Sequence, residues 1–301
     1  MDEMTIKTKH MLIPIIITLS LAMLLSVIGI VSGFTIEGAP FSETEGGLFF
    51  ALLNALFYTL FAIIGITVIY YAIKYGKEKV LRIFFIFCFG FMGVFMIFFF
   101  MYLILAIFEV VEEIYFILVV IISIVAGLYL SYSLLAKNSS PKAKNTALLL
   151  FGAFIGAFLG IVLPTWTAFL LIGILSIYDI IAVFRGPIKK IIEMTEENEE
   201  STLPVDMTYV TRSLEIGLGD LAFYSMLSTH TLILGFQLDF LIADGLLGAI
   251  IPCACTTVGI LIGAYITFKL LKKRSLLPGL PISVGLGILF YLLSLLVFWL
   301  L

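Results

Sequence analysis

Residues 171–184 read Leu-Ile-Gly-Ile-Leu-Ser-Ile-Tyr-Asp-Ile-Ile-Ala-Val-Phe, an apolar run broken by one acid, Asp179. A second acid, Asp220, closes Gly217-Leu218-Gly219-Asp220 at the start of the following apolar run. A carboxylate in hydrocarbon costs about 2.5–3.5 kcal/mol on insertion scales, and more by other estimates. Acids retained at that cost are functional candidates, and two of them on consecutive spans suggest a pair.

The surrounding composition makes lipid the relevant solvent. The chain is 62% hydrophobic and 12% charged, whereas soluble domains carry roughly 25% charged residues. Net charge is −3, and the basic residues fall in short clusters between apolar runs, which is no nucleic-acid surface. The first apolar run, 11–34, is too long for a signal-peptide core and lacks a convincing cleavage site, so it reads as a retained span. Cys88, Cys253 and Cys255 all lie in apolar runs and form no disulfide framework. Two residues apart on a helix, Cys253 and Cys255 point about 200° apart, so they read as small buried hydrophobes rather than metal ligands.

Crossing about 30 Å of hydrocarbon takes about 20 apolar residues in a helix. Such runs predict an all-α membrane protein with nine spans, near 11–34, 48–73, 83–108, 114–136, 146–163, 167–184, 216–236, 245–268 and 282–301. All are expected to be helical, because lipid cannot satisfy an open strand edge. No clear internal repeat or linker divides residues 1–301, so one polytopic membrane domain is expected. The segment 185–215 reads as a mobile cytoplasmic loop, with a gate or substrate-contacting role as the alternative.

Loop charges orient the bundle. Clusters at Lys7 and Lys9, at Lys74 to Arg82, at Lys137 to Lys144, at Arg185 to Arg212 and at Lys269 to Arg274 alternate with loops that are acidic or uncharged. The positive-inside rule then puts the N-terminus in the cytoplasm and the C-terminus outside. Asp179 lies six residues before Arg185, about 9 Å from the cytoplasmic end at 1.5 Å per residue. Asp220 lies eight residues after Arg212, about 12 Å in if that stretch is helical. Antiparallel neighbours would bring both carboxyls together. Gly217 and Gly219 permit close approach by another helix or by an extended peptide.

Desolvation and repulsion oppose double ionisation, so such a pair is expected to share one proton near neutral pH. One carboxylate takes a proton from attacking water, and the other donates to the developing oxygen. Water would enter from the cytoplasmic face, by Ser176 and Tyr178. Intramembrane acids also serve proton- or cation-coupled transporters, and the aspartates alone leave both readings open.

Pro278-Gly279-Leu280-Pro281 lies at the same leaflet, at the mouth of the last span. Prolines at both ends oppose regular helix, predicting an extended segment that could border a strand-like peptide substrate. Taken together, Tyr178-Asp179, Gly217-Leu218-Gly219-Asp220 and Pro278-Gly279-Leu280-Pro281 resemble the three signatures of the presenilin and signal peptide peptidase family. They occur in the family order, on the sixth, seventh and ninth spans.

The resemblance implies an intramembrane aspartyl protease with Asp179 and Asp220 as the catalytic pair. Tyr178, Gly217, Leu218 and Gly219 complete the motifs, and Pro278, Gly279 and Leu280 contribute to substrate binding. The family's third motif is usually Pro-Ala-Leu, so Gly279 replaces an alanine. A cytoplasmic N-terminus is similar to presenilins rather than to signal peptide peptidases. The resemblance then implies single-span protein substrates with outside N-termini and no metal or organic cofactor, and the short chain with its modest loop between spans six and seven looks like a compact microbial homologue in the cell membrane. Self-association into a homo-oligomer is compatible with such a chain.

Other residues carry less. His230, ten residues from Asp220, is about 15 Å along the helix, too far for direct catalysis, and is expected to make a hydrogen-bonded helix contact. Glu109, Glu112 and Glu113 read as solvated, Pro252 as a potential kink, and Phe98-Phe99-Phe100 as packing or lipid-facing surface.

Overall fold

A computed structural model describes residues 3–34, 38–110, 112–136, 138–185, 208–211, 214–237, 246–271 and 277–300. The helices are α1 (Glu3–Val31), α2 (Glu43–Lys74), α3 (Glu78–Ile107), α4 (Glu113–Leu135), α5 (Pro141–Val162), α6 (Thr165–Arg185), α7 (Leu218–Gln237), α8 (Leu246–Leu271) and α9 (Leu280–Leu300). Two four-residue strands, β1 (Thr208–Thr211) and β2 (Leu214–Gly217), precede α7.

Eight of these helices are long and apolar enough to cross a membrane, and α7 is the exception. The reason lies in its surroundings. From Leu218 to Gly235 most of its side chains are buried, including Ser225, Ser228, Thr229, His230 and Thr231. Helices α1, α5 and α8 pack around it, so its surface meets protein rather than lipid and has no need of an apolar skin.

Close packing around α7 rests on small residues. A Cβ added at Gly156 of α5 would approach the Ala222 carbonyl at 2.7 Å and the Met226 amide at 2.9 Å, both backbone atoms. Gly263 of α8 stands likewise against Ser283 of α9. Between helices already in lipid, such contact gains dispersion energy that lipid tails would otherwise supply less densely. The main core runs through Leu19, Leu148, Phe151, Leu221, Met226 and Leu227, all nearly fully buried. The Phe98–Phe100 run is packing surface in part: Phe100 is buried and its ring lies 5.6 Å from Phe154.

Two expectations need correction. The stretch before Asp220 is not helical: β1 and β2 pair antiparallel, with Thr208 opposite Gly217 and Thr211 opposite Leu214. The expected loop 185–215 therefore ends in a hairpin, whose strands satisfy their backbone groups against one another. Residues 186–207, with most of that loop, lie outside the described residues. The second correction concerns Pro278–Pro281. Only Pro278 and Gly279 precede the helix; Leu280 and Pro281 already form the first turn of α9. Proline is tolerated there because a first-turn N–H has no intrahelical partner.

Two distant chain segments are pinned by a side chain that composition alone would not single out. Asn54 of α2 is fully buried. Its amide donates to the Phe41 carbonyl (2.8 Å) and the Thr167 hydroxyl (3.1 Å), and its oxygen accepts the Phe41 N–H (2.9 Å).

Candidate active site

Asp179 sits near the C-terminal end of α6 and Asp220 in the first turn of α7. Both are half-buried. The segment Gly279–Leu280 brings them to one place. The Leu280 N–H, unpaired within α9 because it opens the helix, donates to the Asp179 carboxylate at 3.2 Å. Gly279 stands against the other acid: a Cβ built on it would lie 2.5 Å from Asp220 Oδ2 and 2.9 Å from Oδ1. One residue thus abuts Asp220 while its neighbour holds Asp179.

Tyr224 fixes that segment from below. It lies one turn after Asp220 on the same face of α7. Its buried hydroxyl donates to the Gly279 carbonyl at 2.8 Å and lies 3.0 Å from the Ser283 hydroxyl. Neither Tyr224 nor Ser283 was singled out from sequence, although the four-residue spacing from Asp220 was a usable signal. A small cavity of about 140 Å³ adjoins the site, lined among others by Asp220, Tyr224, Thr267, Phe268 and Gly279.

The remaining motif residues are placed as follows. Tyr178 is half-buried beside Asp179, and Pro278 and Leu280 are buried. Leu218 is buried at the start of α7. Gly217 ends β2, and a Cβ there would meet only the Asp220 carboxyl, at 3.8 Å. Gly219 is exposed with nothing within 4 Å of a Cβ. Among the described residues, no other helix approaches either glycine closely. Among the described residues, no group of three or more His, Cys, Asp or Glu side chains is placed to hold a metal.

His230 makes the helix contact expected of it, donating from Nδ1 to the Gly160 carbonyl of α5 at 2.9 Å. Cys253 is buried and Cys88 and Cys255 are half-buried, all as free thiols.

The presenilin family model matches residues 6–211, and the chain belongs to the presenilin family. It is accordingly a multi-pass integral membrane protein. That match includes Asp179 and stops short of Asp220 and Pro278. Presenilin-B of Dictyostelium discoideum is 37% identical over 140 residues, a stretch covering 44% of this chain and 26% of that protein. The chain thus spans about a quarter of the length of that relative. Among solved structures, a presenilin family intramembrane aspartate protease in two crystal forms superposes with a TM-score of 0.61 and 17% identity. The overlap covers 94% of this chain and 99% of that one in the first form, and 95% and 96% in the second.

Proposed function

We propose that this protein is an intramembrane aspartyl endopeptidase in which Asp179 and Asp220 form the catalytic dyad. The observation that carries the reading is the convergence of both carboxyls, from two different helices, on Gly279–Leu280. Membership of the presenilin family and the shared fold with an intramembrane aspartate protease support it.

In the proposed reaction one carboxylate takes a proton from water as the oxygen attacks the scissile carbonyl carbon. The other carboxyl donates its proton to the carbonyl oxygen, giving a tetrahedral diol. Proton transfer to the amide nitrogen then lets the C–N bond break, leaving a new carboxyl end and a new amine end. The Leu280 N–H orients Asp179, and Tyr224 holds Gly279 where it confines Asp220. Substrate helices must unwind locally, because a helical carbonyl is already engaged with an N–H one turn away. Among the described residues no other helix crowds Gly217 or Gly219, which leaves the unwound stretch room.

The loop charges support a cytoplasmic N-terminus, nine crossings with α7 among them, and a site near the cytoplasmic leaflet. Substrates in this reading are single-span proteins with outside N-termini, and the location is a microbial cell membrane. Pro278, Gly279 and Leu280 border the bound peptide. The test is cleavage of a single-span reporter in proteoliposomes, read by mass spectrometry of the products. Asp179→Asn and Asp220→Asn should each abolish product while leaving expression and fold unchanged. Robust cleavage by both variants would sink the assignment, and solute flux without proteolysis would favour a transporter.

A further inference from the structure

The two acids meet different parts of one wall. Leu280 is the first residue of α9, and its N–H donates to the Asp179 carboxylate at 3.2 Å. Opening the helix, that N–H has no carbonyl partner inside α9 and stands at the positive end of the helix dipole. An ionised carboxyl only accepts hydrogen bonds, and a donor aimed at it favours the charged form. Asp179 sits where an anion is held.

Asp220 has no such support. Among the described residues, nothing donates a hydrogen bond to its carboxyl. Two hydroxyls in the cavity beside it are engaged elsewhere: Tyr224 donates to the Gly279 carbonyl at 2.8 Å, and Thr267 to the Gly263 carbonyl at 3.0 Å. Ile216, Ala264, Phe268, Leu271 and Leu277 make most of the remaining wall, and among the described residues no Lys or Arg lines it. Asp220 does lie in the first turn of α7, whose dipole also favours charge. A helix end acts chiefly through its free N–H groups, and none of them donates to Asp220. A carboxylate there is unpaired beside carbon, a cost that the neutral acid avoids. The other titratable side chains at the pair, Tyr178 and Tyr224, are phenols that bring no charge near pH 7.

We infer that the dyad is asymmetric at rest: Asp179 is the carboxylate that takes a proton from water, and Asp220 is the acid that protonates the substrate carbonyl. This division of roles rests on the protease reading above. As the water oxygen bonds to the carbonyl carbon, its proton passes to Asp179. The C=O π pair moves to oxygen, which takes the Asp220 proton. The diol then stands between a neutral Asp179 and an ionised Asp220. Asp179 next gives its proton to the amide nitrogen, and the C–N electron pair leaves with that nitrogen. A diol hydroxyl gives its proton to Asp220 as the new carboxyl forms. The resting arrangement is restored without a proton drawn from bulk water.

Titration of the carboxyls without substrate tests the assignment. Whole protein labelled with 13C at its aspartate side-chain carboxyls is followed by NMR in detergent across pH. The resonances missing from Asp179→Asn and from Asp220→Asn identify the two acids in the unaltered protein. The Asp220 carboxyl should keep its proton to a pH about one unit or more above that of Asp179, a tenfold difference in proton affinity. The reverse order, or two resonances that titrate together, would overturn the assignment.

A second measurement leaves every side chain in place. Nonsense suppression with the 2-hydroxy acid analogue of leucine turns the 279–280 amide into an ester, which lacks the Leu280 N–H. Asp179 must be ionised to act, and losing the donor strengthens its hold on a proton. The acidic limb of kcat/KM for reporter cleavage should therefore move up by about one pH unit, the scale of a hydrogen bond to a charged group. A uniform fall in rate with both limbs unmoved would reduce the N–H to a positioning contact and overturn the assignment. Reporter cleavage by the unaltered protein together with the reverse titration order discards this division of roles and keeps the protease. Asymmetric titration without cleavage discards the protease and the roles that rest on it.

Discussion

The Tyr224 hydroxyl donates to the Gly279 carbonyl at 2.8 Å, so the helix that carries Asp220 also holds the residue that confines it. Tyr224 and Gly279 are 55 positions apart in the chain. Their bond makes the acid and its wall one unit, and it sets what substitution at either residue does.

Gly279→Ala restores the residue usual in the family's third motif, yet here it should slow catalysis. The added methyl would meet Asp220 carboxyl atoms at 2.5–2.9 Å. A carboxyl end can swing away at small cost to stability, but a catalytic group displaced by about 1 Å costs up to 10²-fold in rate. We expect kcat for reporter cleavage to fall tenfold or more, on the same scale, with the melting temperature in detergent nearly unchanged. Equal kcat in both proteins would show that Asp220 sits elsewhere during turnover.

Tyr224→Phe removes the hydroxyl and nothing else. The Gly279 carbonyl then retains the Ser283 hydroxyl, which donates to it at 3.3 Å, so the segment loosens without losing its last partner. One net hydrogen bond corresponds to about 1 kcal/mol. Cleavage should slow by no more than about tenfold, mainly in kcat, and Tyr224→Phe combined with Gly279→Ala should be less than additive because the two act on one contact. Strict additivity, measured as a double-mutant cycle, would separate them.

Asn54→Leu tests the joint between α2 and α6. It leaves the Phe41 N–H and C=O and the Thr167 hydroxyl without their partner. A loss of about 1–2 kcal/mol is expected, at the upper end for bonds in membrane proteins. The readout is a lower melting temperature in detergent. Its partner Thr167 is twelve residues from Asp179 on α6, about 18 Å along the helix, so KM for a reporter should stay where it was.

The eight strongly apolar helices were readable because lipid enforces one rule, a long unbroken apolar stretch with its backbone bonds kept inside. Asp179 and Asp220 were readable because they break that rule. What escaped has physical causes as well. β2 reads Leu-Glu-Ile-Gly and runs without interruption into the apolar pattern of α7, so its alternation is too short to separate from a helix. Pro281 reads from sequence as opposing regular helix, whereas it occupies the first turn of α9, where proline is at home. Tyr224 and Asn54 act through partners 55 and 113 positions away, and no local pattern reports those distances.

The polar character of α7 has a consequence for how the protein is made. A helix bearing Asp220, His230 and several buried hydroxyls is a poor passenger for an insertion machinery that sorts segments one by one on their apolarity. Its packing partners α1 and α5 precede it in the chain and are already made when it emerges, so they are expected to receive it. Widening the α5 surface at Gly156 would then show first as chains assembled with the wrong topology. The defect would arise at birth, before any finished protein existed to be unstable.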